Sequence, residues 1–476
     1  MTKHIAKPGN KLLIKWSRVC HRFAICEMLM REFSVRFNVR QCELLTKLFS
    51  RMYNIKMNTL RTINGRYFPS FFTIHADTCI APEEYLKDGL VETIMHEYIH
   101  FIQDVSTVYG LANLSNTFSD ISNFYNIIED KIKLPYKFPN IKVREINKDL
   151  FSIYYSECPY FTLPKLDVNI EINSLPVSKL GLDGFPMLNY YEVDFIEGGN
   201  KHSFPFGACS LLEGMAKLIE YHLFQVSQNE NKWVLPYDFP EIIAKHLYPK
   251  LGNNLAYVVA LCDVSLMYYH SGEVFVKMLE MMKEENYYPQ KIDDLYIFVI
   301  SHLQIPGTNF KSFWTCSVSN AIKDIKNIVN VDEYNIAGQW AVNMIDYYYQ
   351  LRISRFAFLS SIMELSPLEA RTRLYSVFKD ITSPVIYNNS MNFAIIGGYD
   401  IDKESHGKLI YWYNLSIFYY YLFYNEKTRC PFDSFCGIVD NCTVQETPWQ
   451  RKGDDYCFYQ QYSRMFALYK RQIIIY

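Results

Sequence analysis

No stretch of this chain stays apolar for the length a bilayer-crossing helix requires, about 20 residues. The most hydrophobic run, Leu409 to Tyr424, reads LIYWYNLSIFYYYLFY and is interrupted by Asn414 and Ser416. It reads as a buried aromatic helix, and no membrane span is expected. The basic residues near the start are not followed by an apolar stretch and a small-residue cleavage site, so no signal peptide is expected. Net charge is also scarce: 48 Lys and Arg oppose 50 Asp and Glu, which leaves −2. That balance gives no electrostatic footprint for nucleic acid, and no nucleic-acid partner is expected. The sequence has no internal repeat and no low-complexity linker. Its 12 cysteines include no CxxC pair. In the cytoplasmic location expected here their thiols stay reduced, so most read as small core residues.

What is present describes an ordered globular protein. Hydrophobic residues make up 49% and charged residues 21% of 476, enough for a large core and two or three packed regions. The patterning predicts an α+β fold that is predominantly helical. Residues 1–60 carry apolar side chains at helical spacing. Tyr67 to Ile80 is aromatic and predicts a strand. A helix is expected from Leu90 to Tyr109, ending at Gly110. Tyr190 to Ile196 predicts a strand closed by the Glu197-Gly198-Gly199-Asn200 turn. A further helix is expected from Ala208 to Gln225. Beyond Pro240 the chain reads as mainly helical until about Tyr424.

The strongest chemical pattern is His96-Glu97-Tyr98-Ile99-His100. Two histidines four residues apart on a helix share one face, so both imidazoles reach one metal ion. Zinc accepts neutral imidazole nitrogen and in catalytic sites keeps a position for water. Glu97, beside the pair, is placed to take that water's proton. With this composition such a pattern arises by chance on the order of 0.02 times per sequence. The helix around it narrows the reading. With His96 at zero, His100 falls at about 40°, Gln103 at about −20°, Thr107 at about 20°, Thr93 at about 60°, Asp104 at about 80° and Glu97 at about 100°. The remaining positions, including Ile94, Met95, Tyr98, Ile99, Phe101, Ile102, Val105 and Val108, are apolar. The helix is therefore expected to be buried, with the motif inside one narrow polar stripe. Asp104 could orient His100 or face water.

A catalytic zinc needs a third protein ligand. The candidate is Glu213 in Leu211-Leu212-Glu213-Gly214-Met215-Ala216, with Glu220 two turns on along the same face. Gly214 and Ala216 are small enough to let this helix approach the site helix closely. Pairing of Glu213 with Lys217 is the alternative reading. HEYIHFIQD followed far downstream by LLEGMAKLIE resembles the zincin metallopeptidases, specifically the gluzincin pattern of HExxH plus a downstream Glu. The resemblance covers about a quarter of the chain. It implies a zincin-like core, in which an antiparallel sheet packs over the HExxH helix. It implies Zn2+ held by His96, His100 and Glu213, with Glu97 activating water. More than a hundred residues separate His100 from Glu213, longer than in thermolysin-like enzymes. Cys209, Glu192 and Glu197 therefore stay open as alternative ligands. Such enzymes also use a Tyr or His to stabilise the oxyanion. Tyr221 is in reach of the Glu213 face, His202 and His270 are further candidates, and His222 reads as structural.

The organisation expected is a zincin-like metallopeptidase region over 1–240, a helical region over 241–425 and a cysteine-bearing lobe over 426–476. Cys430, Cys436, Cys442 and Cys457 in that lobe are candidate ligands of a second, structural metal. The function expected is a zinc metallopeptidase acting on a protein or peptide substrate. Its rivals are a zincin-shaped interaction protein without turnover and a zinc hydrolase of non-peptide amides. The helical half could serve a protein partner.

Overall fold

The computed structural model describes residues 65–78, 90–127, 131–136, 142–165, 168–180, 188–225, 231–305, 307–329, 335–380, 383–389, 393–395, 403–424, 430–432, 457–465 and 472–475. The helix expected within residues 1–60 lies outside them. The described residues form a mixed α+β structure that is mainly helical. The helices are α1 (Leu90–Ser106), α2 (Val108–Ile127), α3 (Lys142–Tyr155), α4 (Ala208–Phe224), α5 (Phe239–Leu247), α6 (Pro249–Gly252) and α7 (Leu255–Ser265). They continue with α8 (Ser271–Glu284), α9 (Ile292–His302), α10 (Phe310–Ile328), α11 (Asn335–Ser354), α12 (Pro367–Asp380), α13 (Lys403–Tyr424) and α14 (Phe458–Met465). No helix among the described residues is long and apolar enough to cross a membrane.

The strands are β1 (Gly65–Phe68), β2 (Thr73–Ala76), β3 (Lys131–Leu134), β4 (Phe161–Pro164), β5 (Val168–Pro176), β6 (Asn189–Glu197), β7 (Asn200–Phe206), β8 (Lys232–Leu235), β9 (Val385–Asn388), β10 (Phe393–Ala394) and β11 (Gln472–Ile475). One sheet runs β1-β2-β9-β10, and α1 packs against β1 and β2. Within it β2 pairs antiparallel with β1 and parallel with β9, Ile74 opposite Tyr67 and Ile386. A second sheet is the antiparallel meander β5-β6-β7, turned at Gly198 and Gly199, both at positive φ, as the sequence predicts. Two-stranded pairs β4-β8 and β3-β11 complete the strands.

Three sequence expectations change in detail. The strand expected over Tyr67–Ile80 is a hairpin, because Pro69 to Phe72 turn the chain with Ser70 and Phe72 at positive φ. The helix expected to stop at Gly110 breaks earlier, at Thr107. The Thr107 hydroxyl donates back to the Gln103 carbonyl at 2.7 Å and accepts the Gly110 N–H at 3.0 Å, so it serves both helix ends. Gly110 lies inside α2 and acts as a spacer: a Cβ there would stand 2.3 Å from the Asp104 carbonyl oxygen. Strands β9 and β10 interrupt the helical second half. Val385-Ile386-Tyr387 is short, β-branched and aromatic, and its burial comes from pairing with β2, too distant in sequence to be read from periodicity.

Behind the site helix the core is aromatic. Phe72 is fully buried and meets Trp412 of α13 edge to face at 4.9 Å, Trp340 of α11 at 5.7 Å and Phe101 of α1 at 6.2 Å. On the same side of α1, the Tyr98 and Tyr348 hydroxyls hydrogen-bond at 2.7 Å. These contacts hold α1 from its apolar flank and leave its polar stripe toward α4. The run Leu409–Tyr424 is helical and buried along most of its length, as expected, with Tyr424 exposed at its end.

Candidate metal centre

The stripe on α1 faces the stripe on α4. Glu213, Lys217 and Glu220 recur at helical spacing on α4, while Leu211, Met215, Leu218 and Ile219 bury the other side. Gly214 serves a different neighbour from the one expected. A Cβ there would lie 2.6 Å from Pro240 Cγ and 2.9 Å from the Tyr237 carbonyl oxygen. Its smallness thus seats α4 against the turn that leads into α5.

Where the helices meet, His96, His100 and Glu213 come together, and they are the one set of three such residues among those described. His100 Nε2 and His96 Nε2 are 3.2 Å apart. Glu213 Oε2 is 3.5 Å from each of them. A circle through three points so spaced has a radius of about 2.0 Å, the length of a bond from zinc to imidazole nitrogen or carboxylate oxygen. One face of a tetrahedron with such bonds has edges of about 3.4 Å. The donor set and its spacing fit zinc.

The outward nitrogens of both rings are engaged. His96 Nδ1–H donates to Glu220 Oε2 at 2.9 Å. His100 Nδ1–H donates to Gln103 Oε1 at 2.8 Å, and Gln103 Nε2 donates to the Leu212 carbonyl at 3.2 Å. With both Nδ1 atoms committed as donors, both Nε2 atoms turn lone pairs toward Glu213 Oε2 and toward each other. Three lone pairs at this spacing repel unless a proton or a metal ion lies between them. Without a metal, the carboxylates favour the proton. Burial alone would lower the pKa of His96, but its hydrogen bonds to Glu213 and Glu220 raise it to about 10. For His100 burial is likewise outweighed, by the charge of Glu213, and the pKa is raised. Burial would raise Glu213, yet the two imidazoles hold its carboxyl well below the usual carboxylate range.

Glu97 stands beside this triangle without belonging to it. Its Oε2 accepts the Tyr67 N–H of β1 at 2.6 Å. Burial pushes its pKa upward, against the pull of His96 and His100. Asp104 neither orients His100 nor faces water. It is 6% exposed and accepts from the Tyr67 hydroxyl and the Ser70 N–H, each at 2.8 Å. Burial pushes its carboxyl to about 7.

The other candidates lie apart. Glu192 and Glu197 sit on β6, opposite Pro205 and Asn200 of β7, and neither joins the triangle. Cys209 is a buried free thiol in the first turn of α4, which burial pushes up to about 12, so it stays protonated. Lys217 turns to Glu220 Oε1 at 3.0 Å rather than to Glu213. Tyr221 lies under the Lys217 ammonium at 4.5 Å, and His202 packs on Phe161 with ring centroids 4.9 Å apart. His270 lies beside Tyr154 at the start of α8. His222 meets the Leu365 carbonyl at 3.0 Å, the structural role expected of it. One aromatic residue beside the triangle was missed by sequence reasoning: the Tyr237 ring stands edge-on to His96 at 6.1 Å. It follows Pro236 in a turn, where no periodicity marks it. Cys430 and Cys457 are buried; Cys436 and Cys442 lie outside the described residues.

Comparison of the chain with models of protein families, with curated proteins and with solved structures found no match.

Proposed function

We propose that this chain is a zinc hydrolase and, within that class, a peptidase, with His96, His100 and Glu213 as ligands and Glu97 as general base. The observation that carries the reading is the convergence of three lone pairs at ligand spacing, with both Nδ1 atoms already committed elsewhere. Bound zinc supplies a Lewis acid that polarises a carbonyl and makes water a nucleophile at neutral pH. The chain supplies the rest. Glu220 and Gln103 fix the tautomer and direction of the two imidazoles. The Tyr67 N–H holds one oxygen of Glu97, and the other has no hydrogen bond among the described residues. A carboxylate so placed, with its pKa raised by burial, suits a base that takes a proton from water and returns it to a leaving amine. The choice of peptides among amide substrates rests on the resemblance to gluzincins, in HEYIH and LLEGMAKLIE.

The test is Glu97→Gln in the full chain, assayed on a mixed peptide library. Zinc should stay bound, and hydrolysis should fall at least about a hundredfold. Undiminished hydrolysis would remove Glu97 from the mechanism. A cellular activity that survives Glu97→Gln but is lost with the fold would instead favour an interaction protein.

A further inference from the structure

The two imidazoles are held unequally. His100 donates to a neutral carboxamide on its own helix, Gln103. His96 donates to a carboxylate on another helix, Glu220. A charged acceptor makes the stronger bond and makes the ring a better donor to a metal. Glu220 is only 9% exposed, and its second oxygen takes a hydrogen bond from Lys217 at 3.0 Å. Lys217 is itself pinned over the Tyr221 ring. Glu213, Lys217, Glu220 and Tyr221 all stand on α4, so one rigid helix carries a ligand, a carboxylate aimed at a second ligand, and the cation that holds that carboxylate. Tyr237, seated where Gly214 meets its carbonyl, borders the His96 ring from another side.

We propose that Glu220 is a positioning residue for the metal, acting through His96, and that Lys217 acts on the metal only through Glu220. The inference rests on the zinc reading and assigns the division of labour within that site. It makes His96 the ligand whose direction is set across the helix interface, while His100 is set within its own helix.

The experiment is zinc affinity of the full chain by competition with a chromogenic chelator, together with the visible spectrum of the cobalt-loaded protein. Glu220→Ala should weaken zinc about 10- to 100-fold and shift the cobalt bands. Gln103→Ala should cost less. Lys217→Met should weaken zinc by a smaller factor than Glu220→Ala, Lys217→Arg should restore it, and Lys217→Met should add nothing in the Glu220→Ala background. Should Glu220→Ala not fold, Glu220→Gln keeps an acceptor without the charge and should still lose about tenfold. Wild-type affinity in the Glu220 variants overturns the proposal, and so does an equal effect of Lys217→Met in both backgrounds. A wild-type chain that takes up no zinc would sink the zinc reading itself, which separates the two failures.

Discussion

Arg352 and the His96–His100 pair are both polar groups sunk among apolar helices, and their surroundings differ in the balance of donors and acceptors. Arg352 of α11 is fully buried and grips Asp263 of α7 with two bonds, Nη2 to Oδ1 at 2.7 Å and Nη1 to Oδ2 at 3.1 Å. Its Nε donates to Ser106 at the end of α1 at 3.0 Å, and Nη1 also donates to the Phe356 carbonyl at 3.2 Å. Tyr296 donates to the same Asp263, and its hydroxyl meets that of Ser360 at 2.8 Å. One cation meets one anion, and the remaining polar atoms are bonded. In the middle of α1 the count is different. Glu97, Glu213 and Glu220 gather around two imidazoles, with Lys217 bonded to Glu220 alone, and three lone pairs share one point. The first arrangement is complete as protein; the second, on the function proposed above, takes a cation. The contrast separates a buried clip from a site better than burial does, since both are buried.

The largest expected effect tests the clip. Asp263→Ala strands a buried guanidinium and should cost about 3–5 kcal/mol in chemical denaturation. Replacing both partners, Arg352→Met with Asp263→Leu, should cost far less, because no unpaired charge remains. Equal costs for the single and double variants would break the description of a closed pair.

The break between α1 and α2 is closely packed at Gly110, pressed on the Asp104 backbone. Gly110→Ala places a methyl against a carbonyl oxygen that cannot swing aside, and should cost about 1–3 kcal/mol. A neutral result in thermal melting would show that α1 and α2 separate more easily than their contact implies.

A smaller effect sharpens the comparison through pH. His96 has a folded pKa of about 10 in the metal-free chain, above the unfolded value of about 6.5. Its protonated form therefore contributes stability that is full below about pH 6.5 and is lost as pH rises through about 10. Glu213 is shifted the other way, so its contribution is present above about pH 4.5 and is lost as pH falls. The metal-free chain should weaken between about pH 6.5 and 10, and His96→Gln should reduce that dependence and leave the part due to His100, whose pKa is also raised. Bound zinc takes the proton's place, so zinc affinity should fall toward acid pH. Urea midpoints across this range, with and without zinc, check both statements. A metal-free midpoint that does not fall between those limits would contradict the His96 assignment.

How much of this could be read from sequence follows from distance along the chain. The site helix and its stripe were legible because both arise from local periodicity, and Gln103 sat in that stripe. Glu213 was legible as the opening of an amphipathic helix and through the gluzincin resemblance. Glu220 was visible on the same face, but not its bond to His96, which spans 124 residues. Tyr67 reaches Glu97 through its backbone N–H, which side-chain patterning does not report, and Tyr237 reaches the site from a turn, which carries no period. The Arg352–Asp263 clip joins residues 89 apart. One local sign was available: Asp263 is the sole charge in the apolar helix LAYVVALCDVS, and a lone charge in such a helix needs a buried partner.

The most direct test is zinc content by elemental analysis after metal-free purification, zinc addition and removal of free ion, for the wild type and for His96→Ala. His96→Ala should hold one equivalent less than the wild type, whatever the C-terminal cysteines bind. Equal zinc in the two proteins, or none in the wild type, would contradict it.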